Sequence, residues 1–320
     1  MHACKKSRPV RKGFTLAEIL TALAVVAVLL SLLIPALNTV RKKAQVVKQQ
    51  AQFHGIEVGL EAFRADWGDY PPSEYPGDFD VEKGSGFSAP CTCASQRLAE
   101  ALIGRDGLGF HQSSEFRALG LADVNGDGIL DPVPNAAPGI YNAVSGFTLS
   151  GSGGVQTAEQ NLAARKGPYL EVETANAVMF SKYYAPDRID DTYVLADAFP
   201  KKMKRSGVEL GMPILYYRAN PGRIRNDPAY GNWGTNTYNL NDSYCDSQGI
   251  IVRPVPFQST STSHPLSQAG SNTSAANLFY SRILNPNFTL PPRPYRANSF
   301  LLQSAGPDGL YGTPDDIFNF

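Results

Sequence analysis

Hydrophobic residues are concentrated in one long run near the start of the chain. Residues 14–37 are almost entirely apolar and contain a single charged side chain, that of Glu18. A helix rises about 1.5 Å per residue, so a segment of this length covers the roughly 30 Å of a bilayer's hydrocarbon core. The pattern therefore predicts a transmembrane helix at residues 14–37, directly after the basic residues 1–13.

Beyond this run, the hydrophobic positions adopt a helical spacing. Within residues 38–68, large apolar side chains recur every three or four positions, which is typical of an amphipathic helix with one face packed on a folded body. Gly68, with Pro71 soon after it, predicts the end of that helix. The apolar positions are Phe53, Ile56, Leu60, Phe63 and Trp67.

The remaining residues, 69–320, combine short helical and β patterns. Residues 211–218 and 299–304 contain aromatic and aliphatic side chains in short runs, which predicts two strands. Residues 95–104 predict a short helix with its leucines on one side. The Ser/Thr-rich residues 258–277 predict a mobile surface loop. An α+β fold follows from this mixture.

Composition supports a loop-rich body. The chain of 320 residues contains 29 Gly and 24 Pro, and only 18% of its residues are charged. The 29 basic and 29 acidic residues balance, but five of the basic residues lie in the first thirteen. Removal of these thirteen residues would leave an acidic excess of five. The equal numbers of basic and acidic residues in the whole chain argue against a nucleic-acid partner, because nucleic-acid-binding proteins usually have a basic excess.

Glu18 distinguishes the apolar run from two simpler interpretations. A secretory signal peptide has a short apolar core followed by a small-residue cleavage site, whereas this run continues into the amphipathic helix without such a site. A plain membrane anchor does not need a carboxylate at its start. An ionisable group at membrane depth costs about 2–3 kcal/mol if it is unpaired, so Glu18 is a candidate functional residue.

The heptapeptide Lys-Gly-Phe-Thr-Leu-Ala-Glu at residues 12–18 resembles the processing motif of type IV pilins and type II secretion pseudopilins. The resemblance implies that a prepilin peptidase cuts between Gly13 and Phe14 and methylates the new N-terminus at Phe14. It also implies that Glu18 pairs with the terminal amine of a neighbouring subunit. Pro35 matches a helix-bending proline of this family, and a kink or local melting is expected there.

Other segments resemble the major (G-type) pseudopilin of type II secretion in particular. Residues 59–71 resemble the end of its long helix, and residues 167–170 and 211–218 follow in the same order. The resemblance implies a pilin-like fold, in which the long N-terminal helix packs on an antiparallel β-sheet body. Residues 1–13 are then the leader and 69–320 the extracytoplasmic body, with insertions at about 72–165 and 221–296.

A C-terminal loop carries closely spaced carboxylates and glycines. Glycines permit tight turns that bring oxygen atoms together, and calcium prefers six to eight oxygen ligands. From spacing alone, a polar surface turn remains an alternative. The loop also resembles the calcium loop of the major pseudopilin. That resemblance implies ligands from Asp308, Asp315, the Thr313 hydroxyl and the Ala305 carbonyl, with Asp316 close by.

A second segment has the Asp-x-Asn-x-Asp-Gly opening of EF-hand-like loops. Pro134 replaces the bidentate glutamate at the twelfth position of such loops, so a structural turn is an equal alternative to calcium binding. The possible ligands are Asp123, Asn125, Asp127, Ile129 and Asp131.

Three cysteines remain after the leader. In an oxidising compartment they allow one disulfide, between Cys245 and either Cys91 or Cys93, and one free thiol. The sequence contains no serine-nucleophile elbow and no His-Glu-x-x-His metal motif, and we do not expect an enzyme.

The resemblance implies a structural subunit of a type II secretion pseudopilus that supports protein export. Its expected partners are prepilin peptidase, other pseudopilins in a helical filament, and the inner-membrane assembly platform. Its expected location is the inner membrane, with a single pass and the body in the periplasm, and then the filament. Two alternatives stay open: a type IV pilin for adhesion or DNA uptake, and a membrane-tethered binding or hydrolytic module.

Overall fold

The structure, a computed structural model, describes only part of the chain. The described residues are 13, 15–73, 92–114, 116, 121–122, 131–132, 141, 147–149, 154–156, 158–185, 191–223, 236–243, 250, 253–259, 262–266 and 273–320. They fall into two units, Met1–Gln45 and Val46–Phe320, and each is described by itself.

The described helices and strands are mostly short, apart from the first helix. The helices are α1 (Leu16–Trp67), α2 (Ala94–Ile103), α3 (Ala158–Ala163), α4 (Val172–Ala175) and α5 (Thr273–Arg282). The strands are β1 (Phe110–His111), β2 (Leu121–Ala122), β3 (Asp131–Pro132), β4 (Phe147–Leu149), β5 (Gly154–Gln156), β6 (Arg165–Lys166), β7 (Ala177–Met179), β8 (Tyr193–Leu195), β9 (Lys201–Lys202), β10 (Glu209–Leu210), β11 (Leu215–Arg218), β12 (Leu284–Thr289), β13 (Pro292–Pro294), β14 (Phe300–Ser304) and β15 (Ile317–Phe318).

In the first unit, helix α1 presents its apolar side chains to the surroundings. The large apolar side chains described between residues 16 and 40 are each 45–78% exposed. The helix is continuous through Pro35, so the local melting expected there does not occur. Among the residues that the structure describes, no helix is both long and apolar enough to span a membrane.

In the second unit, the end of α1 packs as predicted. Phe53, Ile56, Leu60 and Phe63 are buried, and Trp67 is half-buried. The helix ends at Trp67, and Gly68 follows with a positive φ of 88°. The Gly68 amide closes the last turn by donating to the Arg64 carbonyl at 2.7 Å, so the predicted helix end is confirmed.

A three-stranded antiparallel sheet, in the order β11–β14–β15, forms the centre of the second unit. Both predicted strands are confirmed in it, because β11 lies in residues 211–218 and β14 in residues 299–304. Their register pairs Tyr216 with Leu302. The other described strands form two-stranded antiparallel pairs. The α+β class is therefore confirmed, with several small sheets in place of one larger sheet.

Successive residues of β11 and β14 point into two different core clusters, which follows from the two-residue repeat of a strand. Tyr216, Phe300 and Leu302 pack with Phe53, Ile56 and Leu60 of α1 and with Leu98 and Leu102 of α2. Leu215, Tyr217 and Leu301 pack on the other side with Phe279 and Tyr280 of α5. The central sheet is thus covered by helices on both faces.

Helix α2 is more deeply buried than its sequence pattern predicts. The predicted short helix is confirmed, but all ten residues of α2 are buried, including the charged Arg97 and Glu100. The polar side chains have internal partners that compensate for their burial. Arg97 Nη2 donates to the Thr92 carbonyl at 3.0 Å, and Glu100 Oε1 accepts from the Tyr141 hydroxyl at 2.9 Å.

The Ser/Thr-rich residues 258–277 are not simply a surface loop. His264 and Leu266 are fully buried, and α5 begins at Thr273 within the same tract. The Leu266 amide donates to the Tyr311 carbonyl at 3.0 Å, and the Tyr311 amide donates to His264 Nδ1 at 3.4 Å. The prediction of a mobile loop is wrong at these residues, because they pair with the C-terminal segment.

Candidate functional sites

The described N-terminal residues form a helix cap. Thr15 precedes α1, and Glu18 lies in its first turn. Glu18 Oε2 accepts from the Thr15 amide at 2.8 Å and from the Thr15 hydroxyl at 2.9 Å, while the Glu18 amide donates to the Thr15 hydroxyl at 3.3 Å. This reciprocal arrangement is a capping box, which satisfies amides that a helix start leaves unpaired.

The capping box was visible in the sequence as Thr-x-x-Glu, but Glu18 was interpreted there only from its membrane depth and from the resemblance to pilins. Both bonds to its carboxylate end on Oε2, and Oε1 accepts no hydrogen bond from the described residues. Gly13 is exposed, whereas Phe14 and the side chain of Pro35 lie outside the described residues. Glu18 therefore has one carboxylate oxygen in the cap and one available for another group.

The C-terminal loop lies between β14 and β15, whose pairing of Ser304 with Ile317 closes its ends. Gly306 adopts a positive φ of 68°, and a Cβ atom there would come within 2.2 Å of the Asp315 carbonyl oxygen. Only glycine fits such a close approach of two backbone segments. The loop is thereby folded back so that residues 308 and 315 meet.

Two carboxylates are held together in this loop. The Asp308 amide donates to Asp315 Oδ2 at 3.0 Å, and the Thr313 hydroxyl donates to Asp315 Oδ1 at 2.5 Å. Burial and the nearby charge of Asp315 raise the pKa of Asp308. Burial opposes ionisation of Asp315, but hydrogen bonds from Thr313 and Asp308 outweigh it and lower its pKa. Two adjacent carboxylates repel each other, and a divalent cation would relieve that repulsion.

The side chain of Asp316 has hydrogen-bond partners different from those of Asp308 and Asp315. Its Oδ2 accepts from Gln303 Nε2 at 2.8 Å and from the Gly312 amide at 2.9 Å. Its Oδ1 is buried and has no hydrogen-bond partner among the described residues. Burial raises the pKa of Asp316 to about 7. Ala305 is fully buried at the start of the loop.

The structure thus brings together Asp308, Thr313 and Asp315 of the predicted calcium ligands. Within the described ranges, no group of three or more His, Cys, Asp or Glu side chains has the arrangement of a metal site. Any further oxygen ligands would have to come from hydroxyl, carbonyl or water oxygens, which calcium accepts readily.

Two basic residues that the sequence did not indicate hold the backbone of this loop. Arg282, at the end of α5, donates through Nη1 to the Thr313 carbonyl at 2.9 Å and through Nη2 to the Asp316 carbonyl at 2.8 Å. Lys201 donates to the Pro307 carbonyl at 2.7 Å. Both residues are distant from the loop in sequence, so no local spacing could have predicted their contacts.

The second candidate calcium loop is described only at its two ends. Ala122 in β2 pairs with Asp131 in β3, so a short antiparallel ladder closes the segment. The predicted ligands Asp123, Asn125, Asp127 and Ile129 lie outside the described residues. Calcium binding at this loop stays a prediction.

Cys93 is a buried free thiol, and burial raises its pKa. The disulfide between Cys93 and Cys245 is therefore absent from the described structure. Cys91 and Cys245, which would form the alternative disulfide, lie outside the described residues.

A comparison with known protein families finds one match, at residues 8–34, to the prokaryotic N-terminal methylation motif. Searches of curated proteins and of solved structures find no match to this chain. The motif is typical of type IV pilins and pseudopilins, which prepilin peptidase processes before they assemble. The matched residues include Gly13, Phe14 and Glu18 but none of the second unit. The N-terminal segment of this chain thus carries the methylation motif of pilin-like filament subunits.

Proposed function

We propose that this protein is a structural subunit of a type II secretion pseudopilus, closest in kind to the major pseudopilin. The observation that carries the proposal is the methylation motif at residues 8–34, which overlaps the start of a long helix with exposed apolar side chains. The resemblance of residues 59–71 to the major pseudopilin favours secretion over other pilin-like systems. In this proposal the chain assembles and has no catalytic activity of its own.

The exposed apolar surface of α1 supports a role in anchoring and assembly. Leu16 is 78% exposed and Leu33 60% exposed, and such a surface is unfavourable in water. A bilayer would cover it before assembly, and the helices of neighbouring subunits would cover it afterwards. A head-to-tail arrangement of subunits propagates as an open helical filament. The body would then lie in the periplasm, and the inner-membrane assembly platform would add subunits.

The geometry of Glu18 supports the proposed pairing with a neighbouring subunit. After cleavage at Gly13, Phe14 would supply a methylated terminal amine. The Oε2 atom of Glu18 caps its own helix, and Oε1 remains for the amine of another subunit. An ion pair of this kind makes a carboxylate tolerable in an apolar environment.

We propose calcium as the cation of the C-terminal loop. The adjacent carboxylates of Asp308 and Asp315 and the Thr313 hydroxyl are oxygen donors of the kind that calcium prefers. The Ala305 carbonyl would be a further ligand, as the resemblance implies. Bound calcium would neutralise the pair and stabilise the folded loop.

A type IV pilin with adhesive or DNA-uptake function remains the second candidate, because it would carry the same methylation motif.

Two substitutions at the helix start test the assembly proposal. Glu18→Gln keeps an acceptor for the capping box but removes the negative charge. Thr15→Ala removes the cap but keeps the charge. We expect filament formation in the native host to be lost in Glu18→Gln and retained in Thr15→Ala, measured by electron microscopy of sheared filaments.

Processing is the control for both variants. Each should be cleaved after Gly13 as the unmodified chain is, so that a defect reports on assembly alone. Filaments in Glu18→Gln, or their loss only in Thr15→Ala, would contradict the pairing with a neighbouring amine.

Deletion of the protein should abolish export of a secreted enzyme, whereas loss of adhesion or DNA uptake with normal export would favour the type IV pilin.

A further inference from the structure

A cavity of about 530 Å³ opens on the second unit, and no site described above uses it. Its size falls within the roughly 300–1,000 Å³ typical of ligand pockets. Three of its described lining residues are basic and none is acidic. The lining consists of Tyr183, Tyr184, Ala185, Lys204, Arg205, Arg253, Pro254, Val255, Pro256, Gln258 and Ser259.

The exposed cations of this cavity belong to a local basic cluster. Residues 201–205 read Lys-Lys-Met-Lys-Arg, in a chain whose total charge is zero. Lys204 and Arg205 are both exposed, and neither forms an ion pair within the described ranges. A run of charged residues is often only a solvated part of the surface. The run at residues 201–205 differs from such surfaces because two of its residues, Lys204 and Arg205, line a cavity.

Hydrogen bonds position the Lys204 backbone and the Arg205 side chain at the edge of the cavity. The Lys204 amide donates to the Pro256 carbonyl at 2.7 Å, which ties its backbone to the opposite wall. Arg205 Nε donates to the Ser181 carbonyl at 3.0 Å, which orients its guanidinium group. Because the Arg205 guanidinium is oriented before any ligand binds, less conformational entropy is lost at this residue on binding.

The floor of the cavity is aromatic and polar. The guanidinium of Arg253 lies 5.6 Å from the ring centre of Phe180 and 5.7 Å from that of Tyr184. Tyr184 is 6% exposed, and its hydroxyl has no hydrogen-bond partner in the described part of the chain. Tyr184 and Arg253 thus add an aromatic ring and a positive charge to the lining of the cavity.

We propose that this cavity binds an acidic polypeptide segment of a partner protein. Carboxylates of the segment would pair with Lys204 and Arg205, and its backbone and apolar atoms would pack on Pro254, Val255 and Pro256. Clusters of basic side chains are a recurring means of recognising acidic motifs. A nucleic acid fits less well, because the mature chain would carry an acidic excess that repels a long polyanion.

A fluorescent peptide tests this binding in the full chain, kept in detergent. The probe is a fluorescein-labelled ten-residue peptide of alternating Asp and Gly, and its matched control replaces every Asp with Asn. We expect fluorescence anisotropy to show saturable binding of the Asp peptide only, weakening as salt is raised. The double variant Lys204→Ala/Arg205→Ala should bind at least about tenfold more weakly.

A charge-matched variant separates site binding from general attraction. Lys43→Ala/Lys48→Ala removes two exposed charges from α1, and it should bind the Asp peptide as the unmodified chain does. Equal binding of the Asp and Asn peptides would overturn the proposal, as would equal weakening by the two double variants. Displacement of the peptide by a ten-nucleotide single-stranded DNA at the same concentration would also overturn it, because the surface would then recognise any polyanion.

Discussion

Three carboxylate environments at the residue scale differ in ways that the local sequence only partly reveals. Glu18 caps a helix, Asp308 and Asp315 lie against each other, and Asp197 is buried alone among hydrogen-bond donors. The Thr-x-x-Glu and Gly-Asp patterns of the first two were present in the sequence. The site of Asp197 was not predictable, because two of its donors, Met212 and Ser304, lie 15 and 107 residues away in the chain.

The proposed calcium site in the C-terminal loop yields a prediction about stability. Calcium at about a hundredfold excess over its dissociation constant should add about 2.7 kcal/mol to the free energy of unfolding. We therefore expect calcium to raise the melting temperature of the full chain in detergent and a chelator to reverse the increase. Asp308→Asn/Asp315→Asn should remove this response.

A matched control for this experiment is Glu171→Gln, which neutralises an exposed carboxylate outside the loop. It should leave the calcium response unchanged. If melting of the unmodified chain is indifferent to calcium and chelator, the loop is a structural turn and the cation assignment is wrong.

Asp197 yields a prediction about pH. Burial raises its pKa to about 7, so the folded state binds more protons than the unfolded state between about pH 4 and pH 7. The stability contributed by Asp197 is therefore present at about pH 4 and is lost as the pH rises through 7. Asp197→Asn keeps an acceptor for the amides of Phe199 and Met212 and removes this titration.

The free energy of unfolding of both proteins, measured from pH 4 to pH 8 with chelator present, checks the assignment. The difference between the unmodified chain and Asp197→Asn should decline across this range. Parallel curves would mean that Asp197 has the same pKa in the folded and unfolded states.

At the scale of elements, the patterns that repeat locally were predictable. The stripe of α1 from Phe53 to Phe63 and its end at Gly68 follow from spacing and from glycine's tolerance of positive φ. Strands β11 and β14 were recognisable from their short apolar runs. These two strands are buried on both faces, because α1 and α2 pack on one face of the sheet and α5 packs on the other.

Elements whose stability depends on distant partners were predicted incompletely. Helix α2 lies in a segment that the sequence suggested was an insertion, yet it packs against α1, β8 and β11 in the core. Its buried polar residues find partners such as Thr192, which accepts from Gln96 Nε2 at 2.8 Å. Nothing in the local sequence identifies such a partner, so the sequence predicted the helix and its apolar side but not the burial of its polar residues.

The central position of α2 can be tested by truncating a buried side chain. Leu98→Ala should lower the free energy of unfolding by about 2–5 kcal/mol, because Leu98 is fully buried and its removal leaves a cavity. Val58→Ala on α1 removes a 57% exposed side chain and should cost no more than about 0.5 kcal/mol. Denaturant titration of the full chain measures both. Similar small losses would mean that α2 is peripheral.

At the scale of the whole molecule, the two units have different surfaces. The described apolar side chains of the first unit are exposed, whereas the second unit has its own core on both sides of a sheet. This contrast is what the proposed assembly role requires, in which lipid or other subunits cover the first unit. The methylation motif at residues 8–34 lies wholly in the first unit.

Processing also changes how the charge of the whole chain is interpreted. If the chain is cut after Gly13 as proposed, the balanced total combines a basic leader of five positive charges with a mature chain that has an acidic excess of five. Cleavage would discard the basic part and create the amine that Glu18 is proposed to bind. Assembly as proposed therefore requires that the processed chain begins at Phe14.

Mass spectrometry of the N-terminal peptide, from protein purified out of native membranes, determines where the processed chain begins. We predict a chain that begins at Phe14 and carries one added methyl group on its terminal amine. An intact Met1, or a chain that begins after Leu37, would contradict it.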